Sequence, residues 1–135
     1  MLKLSSQQYA GVVASLRSAG ASANSDKRQF SRMDVQAPVR LAAISGKTVT
    51  RCFTAMSRDV SMTGIGLCQA TKFAPNEAFL ISVPCAKQQM VIVCRVTFCR
   101  PLVDGIYWIG AQFESEAAPA NVEEFRILVA INAAV

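Results

Sequence analysis

The sequence predicts a mainly β protein, a six-stranded antiparallel β-barrel with a short N-terminal helix and a C-terminal helix. Two observations carry that expectation. Between residues 38 and 113 apolar side chains alternate at a spacing of two and β-branched residues accumulate, interrupted by tight-turn signals. Toward both ends the spacing changes to three and four, the helical period. Six short strands leave exposed edges unless the sheet closes on itself, and closure removes them. The 135 residues, 52% hydrophobic, suffice for one core and would starve a second. Helices are too few for a doubly wound α/β fold.

Each element has its own signal. Ser5-x-x-Gln8 has the form of a capping box, and Tyr9, Val12, Val13 and Leu16 follow at i, i+3, i+4 and i+7, closing at Gly20. This helix is expected to pack on the barrel rather than on a partner. Residues 18–25 are small and polar and read as a flexible linker, so the chain divides into 1–26, helix and linker, and 27–135, barrel and C-terminal helix.

Strands are expected at 38–45, 48–58, 65–70, 78–83, 90–100 and 106–113, separated by Ser45-Gly46, Ala74-Pro75-Asn76-Glu77, 84–89 and Asp104-Gly105. The clearest, 90–100, places Met90, Ile92, Cys94, Val96 and Phe98 on one face and Arg95 and Thr97 on the other. After Pro119, Asn121 and Glu124 stand in cap-box relation, and Val122, Phe125, Leu128, Val129 and Ile131 recur three or four apart. That helix is rather apolar. It is expected to cover one mouth of the barrel, with pairing to a second subunit as the alternative.

Composition excludes several function classes. There is no histidine, which removes Ser-His-Asp and Cys-His catalysis and most zinc sites, so the chain reads as non-enzymatic and without metal or cofactor. The five cysteines, at 52, 68, 85, 94 and 99, form no C-x-x-C pair and read as buried thiols in a reducing, cytoplasmic setting. No run of 18 apolar residues occurs, and the N-terminus turns polar too early for a secretory segment, so neither membrane insertion nor export is expected.

The net charge of +5 is unevenly placed: residues 1–58 hold nine Lys and Arg against Asp26 and Asp34, while 59–135 are net acidic. A basic first part favours an anionic partner there; a basic face kept for solubility is the plainer alternative.

Two motifs carry chemistry. In Arg28-Gln29-Phe30-Ser31-Arg32, preceded by Lys27, two guanidiniums stand four residues apart, each able to bind phosphate bidentately or to stack on a purine. Nine arginines in the chain make such a spacing common by chance. Asp59-Val60-Ser61-Met62-Thr63-Gly64 is rarer and more informative. Asp59 can accept from the N1–H and exocyclic amine of a guanine, Ser61 can donate from its hydroxyl, and Gly64 permits close backbone approach. The plainer alternative is an Asx or ST turn between strands with Gly64 at positive φ.

In these motifs the chain resembles the PilZ domain family of bacterial cyclic di-GMP receptors. Arg28-x-x-x-Arg32 leads into Pro38-Val39-Arg40-Leu41, Asp59-x-Ser61-x-x-Gly64 precedes Ile65-Gly66-Leu67, and the late strand Tyr107-Trp108-Ile109-Gly110-Ala111-Gln112-Phe113 also fits; the likeness covers about 27–128. The resemblance implies a six-stranded barrel followed by a helix, no catalysis, and cyclic di-GMP held between the arginine arm and the D-x-S-x-x-G turn. Arg28 and Arg32 would contact guanines and phosphates, Asp59 and Ser61 would read a guanine, and Gly64 would supply the close turn. Lys27 and Arg58 flank the motifs and could add charge.

Binding would draw 24–32 onto the barrel and shift the 5–19 helix, regulating a downstream protein partner as monomer or homodimer. The alternative within the family is an interaction adapter that binds no nucleotide. Nucleic acid is disfavoured as a partner, because aromatics are 7% of the chain and lie within apolar runs rather than on a basic face.

Overall fold

The computed structural model describes residues 1–19, 32–34, 36–103 and 105–134. The elements are α1 (Ser6–Ala19), β1 (Arg32–Asp34), β2 (Pro38–Ser45), β3 (Thr48–Ser61), β4 (Gly64–Gln69), β5 (Ala78–Cys85), β6 (Gln88–Val103), β7 (Ile106–Glu116) and α2 (Pro119–Ala134). All strand pairings are antiparallel. Strands run in the order β3-β2-β5-β6-β7-β4, and the β3–β4 pairing closes them into a six-stranded barrel. The six expected strands are all present, several of them longer than the alternation suggests.

The seventh, β1, was not expected. It continues the line of β2 along one edge of β3, with Arg32 opposite Ser61 where Pro38 is opposite Met56. The other edge of β3 carries β4. The linker at 18–25, beyond Ala19, lies outside the described residues, as do Lys27 and Arg28.

Inward positions supply the core: Val39, Leu41, Ala55, Val60, Ile65, Leu67, Phe79, Ile81, Val83, Ile92, Cys94, Val96, Ile109 and Phe113 are all buried in one cluster. Phe73 stacks between Phe53 and Phe79, with centroids 6.0 and 5.3 Å away. Leu4, Val12, Val13 and Leu16 join the same cluster, so α1 closes an open end of the barrel with its apolar stripe. Its capping box forms as read: Gln8 N donates to Ser5 Oγ (3.0 Å) and Ser5 N to Gln8 Oε1 (2.9 Å).

The C-terminal helix differs from expectation. Rather than covering a mouth, α2 lies on the outer surface, where Phe125 packs with Ala42, Val49 and Leu80 in a second buried cluster. Leu41 and Ala42 are consecutive and both buried, as are Phe79, Leu80 and Ile81. A strand buried on successive residues is covered on both faces, by the barrel interior and here by α2. The helix also begins earlier than its cap signal, with Pro119 at the first position, where a missing N–H costs nothing. Asn121 instead anchors it, donating from Nδ2 to Lys47 O and to Glu124 Oε1, each at 2.9 Å.

Candidate functional site: a trough between two bulges

Two β-bulges decide which side chains reach the outer surface beside the D-x-S-x-x-G turn. In the β3–β4 pairing Ser57 is opposite Leu67 and Asp59 opposite Gly66, leaving Arg58 as the extra residue. Ser57 is buried; without the extra residue Asp59 would follow it inward. The bulge instead turns Arg58 and Asp59 outward together. In the β6–β7 pairing Val96 is opposite Ala111 and Phe98 opposite Gly110, leaving Thr97 extra. Phe98, expected on the inner face with Val96, therefore leaves the core. Its ring packs outside against Trp108, edge to face at 5.1 Å. Thr97 Oγ1 donates to Gly110 O (2.9 Å) across the bulge.

Asp59, Gly66, Gly110 and Phe98 thus fall in one row across β3, β4, β7 and β6. The glycines make the row's middle a trough. A Cβ on Gly66 would stand 2.6 Å from Asp59 Oδ1, and one on Gly110 would stand 2.2 Å from Phe98 Cε2. Asp59 and Phe98 therefore lean over bare backbone. The resulting pocket, about 430 Å³, is lined by Asp59, Gly64, Thr97, Arg100, Trp108 and Gln112 among others.

The turn itself is built around Ser61. Its Oγ accepts from Gly64 N (3.1 Å) and Thr63 N (3.3 Å) and lies 3.3 Å from Gly64 O as a donor. The hydroxyl is buried and holds the turn's shape, as the plainer ST-turn alternative anticipates. Gly64 is not at positive φ; among the described residues the left-handed glycines are Gly46 and Gly105. Its requirement is steric: a Cβ would stand 2.4 Å from the carbonyl oxygen of Ala111.

The N-terminus braces the same turn. Leu4 N donates to Met62 O (2.8 Å), Leu2 N to Phe113 O (3.1 Å) and Phe113 N to Thr63 O (2.8 Å). Tyr9 Oη donates to Val60 O (3.3 Å) from α1.

Of the residues singled out in the sequence, the structure brings Arg32, Arg58, Asp59, Ser61 and Gly64 to one end of β3. The backbone register puts Arg32 opposite Ser61 and Asp34 opposite Asp59. Sequence reasoning missed Phe98, Arg100 and Trp108. Arg58 lies over the Trp108 ring at 4.5 Å, and Arg100 lies over Phe98 at 4.6 Å and Trp108 at 5.8 Å. One signal could have found them: Gly66 and Gly110 sit at outward positions of facing strands, and a glycine there marks close approach by a neighbour or ligand.

No group of three or more His, Cys, Asp and Glu able to hold a metal occurs among the described residues. No helix among them is long and apolar enough to cross a membrane. A separate cavity of about 530 Å³ between α2 and the barrel is walled mainly by Val39, Val91, Val122, Phe125 and Val129, which suits an apolar contact.

Comparison with known proteins agrees with the fold. A search of solved structures finds Bacillus subtilis inhibitor of motility (MotI/DgrA), with a TM-score of 0.53 and 14% identity over 81% of this chain. This chain spans about half of that one, 53% of its length, and the likeness is one of fold. No curated protein matches significantly. The family model for the PilZ domain matches residues 26–130, which takes in both motifs, the whole barrel and most of α2. The chain therefore belongs to the PilZ domain family.

Proposed function

We propose that this PilZ domain is a non-enzymatic receptor for cyclic di-GMP, which binds at the trough and the arginine arm and regulates a partner protein through a change of shape. The observation that carries this reading is the β1–β3 register. It sets the end of R-x-x-x-R directly against D-x-S-x-x-G, Arg32 opposite Ser61, although 27 positions separate Arg32 from Asp59 along the chain.

The chemistry follows from the donor and acceptor inventory. An ionised carboxylate only accepts, and a guanine edge offers N1–H and an amine, so Asp59 suits the base. Guanidinium forks suit its phosphates and base faces, which assigns those parts to Arg28 and Arg32, with Lys27 and Arg58 as added charge. Ser61 and Gly64 contribute by fixing the turn on which Asp59 stands.

The turn offers a route outward. Leu4 and Tyr9 hydrogen-bond its backbone, so a ligand that shifts the turn also shifts the seat of α1. A downstream protein could read that surface, and coupling of this kind needs a ligand that favours one position of α1 over the other.

Calorimetric titration with cyclic di-GMP tests the reading, beside Arg28→Ala and Asp59→Ala and with GTP and cyclic di-AMP as controls. Saturable binding by the wild type, lost in both variants and absent for the controls, is expected. A folded wild type that binds no cyclic di-GMP would favour the adapter reading instead. Amide exchange across residues 5–19 should change on saturation; unchanged exchange would remove α1 from the output.

A further inference from the structure

Beside Asp59, the pocket is lined by Arg100 and Trp108, which belong to neither motif, and Arg58, outside that lining, reaches Trp108. Arg58 and Arg100 both lie against Trp108, at 4.5 and 5.8 Å from its centroid, and Arg100 also lies on Phe98. Neither guanidinium has a carboxylate partner among the described residues. Trp108 Nε1 is buried and is the one buried side-chain nitrogen or oxygen without a hydrogen-bond partner among the described residues. A buried donor left unpaired in a folded protein calls for an explanation; because this nitrogen is closed to water, a ligand oxygen reaches it only if the ring turns.

We propose that Arg58, Arg100 and Trp108 form a phosphate subsite of the trough, distinct from the arginine arm. A guanidinium stacked on a ring engages the ring through its face and keeps its N–H edge free in the plane, the geometry for bidentate contact with a phosphate. Contact with the rings restricts both side chains, so less rotamer freedom remains to be lost on binding. Among the described residues, the one carboxylate lining the pocket is that of Asp59, which stands over Gly66. The trough thus sets one acceptor, Asp59, beside a cluster of donors, of which Arg58 is its neighbour in the same bulge. That polarity sets a ligand's direction: guanine toward Asp59, phosphodiester toward Arg100 and Trp108. The direction rests on the cyclic di-GMP reading; the phosphate subsite does not.

Trp108 is the chain's one tryptophan, so its emission reports on this corner alone. The test titrates the full chain with inorganic pyrophosphate and, separately, with cyclic di-GMP. It follows Trp108 fluorescence in the wild type, Arg58→Gln and Arg100→Gln, and calorimetry in Trp108→Phe. Arg100 is exposed, so its substitution leaves the fold intact, and a melting curve checks the others. A saturable change of emission with pyrophosphate is expected, weakened about tenfold or more in each arginine variant, since a hydrogen bond to a charged group is lost. Cyclic di-GMP should weaken by a similar factor in Arg100→Gln and also in Trp108→Phe.

If cyclic di-GMP binds the wild type and every variant equally while pyrophosphate leaves the emission unchanged, the subsite is wrong and the receptor reading survives. An arginine-dependent pyrophosphate response without cyclic di-GMP binding keeps the subsite and removes the receptor reading. A pyrophosphate response that both arginine variants retain, with cyclic di-GMP indifferent to them, overturns the subsite.

Discussion

Replacing Gly64 by alanine tests whether the turn is held by sterics or by backbone conformation. The new Cβ would stand 2.4 Å from Ala111 O, which belongs to the β7 backbone and is fixed by its ladder. Restoring ordinary contact requires about 1 Å of separation between the turn and β7. Overpacking of this kind costs about 1–3 kcal/mol. The displacement also strains the hydrogen bond from Phe113 N to Thr63 O (2.8 Å), for about another 1 kcal/mol. The expected loss is about 2–4 kcal/mol, roughly a 6–12 °C fall in Tm for a chain of this size. Gly46→Ala is the comparison, because a Cβ there meets nothing within 4 Å and the cost comes only from φ +62°, about 1–2 kcal/mol. Thermal unfolding followed by circular dichroism measures both. A Tm for Gly64→Ala within about 2 °C of the wild type would refute the steric account, as would a larger loss in Gly46→Ala.

Three further expectations concern the scaffold. Leu16 is fully buried in the barrel core, so Leu16→Ala should cost about 2–5 kcal/mol in urea unfolding; a loss under about 1 kcal/mol would mean that α1 is not part of the core. Burial pushes the Cys94 thiol well above its ordinary pKa, so alkylation at pH 8 followed by mass spectrometry should leave Cys94 unmodified in native protein while the half-buried Cys52 and Cys68 react. The hydrogen bond from Arg95 holds the Glu114 carboxyl below its usual value. Its folded pKa is the lower one, so its contribution is complete above the unfolded carboxylate pKa and is lost as pH falls through the folded one. Glu114→Gln should flatten the acid limb of a stability-against-pH curve, by little, because the pair is solvent-exposed.

The elements were legible because alternation and capping are local. Leu41, Ile81 and Ile92 follow the period-two pattern, and the Ser5–Gln8 box forms as its letters suggest. The bulges were not legible, because an extra residue leaves composition unchanged and alters only the parity of the positions after it. Phe98 therefore read as core, Arg100 went unmarked, and Trp108 entered only as part of the late strand. The short β1 escaped because Arg32–Asp34 carries no alternation of its own and pairs only because β3 extends beyond the end of β2. The outer seat of α2 had a signal, the consecutive apolar residues at Leu41-Ala42 and 79–81, but such runs do not say which side a covering helix takes.

Segments far apart in the sequence are joined by the backbone. Residues 1–19 precede both motifs and hold neither, yet Leu2, Leu4 and Tyr9 spend hydrogen bonds on Phe113, Met62 and Val60, which frame the Ser61–Gly64 turn. Strand end, turn and N-terminal segment are therefore joined through the same peptide groups. A turn held this way cannot move against β7 by a large fraction of an ångström without lengthening the bonds from Leu4 or from Phe113. Small displacements at the trough must then either be resisted, which favours a rigid receptor surface, or be passed to α1. Leu4→Pro decides between them: it removes the N–H that reaches Met62, and under the second account it should uncouple α1 from the site while the β3 register of Asp59 stays unchanged.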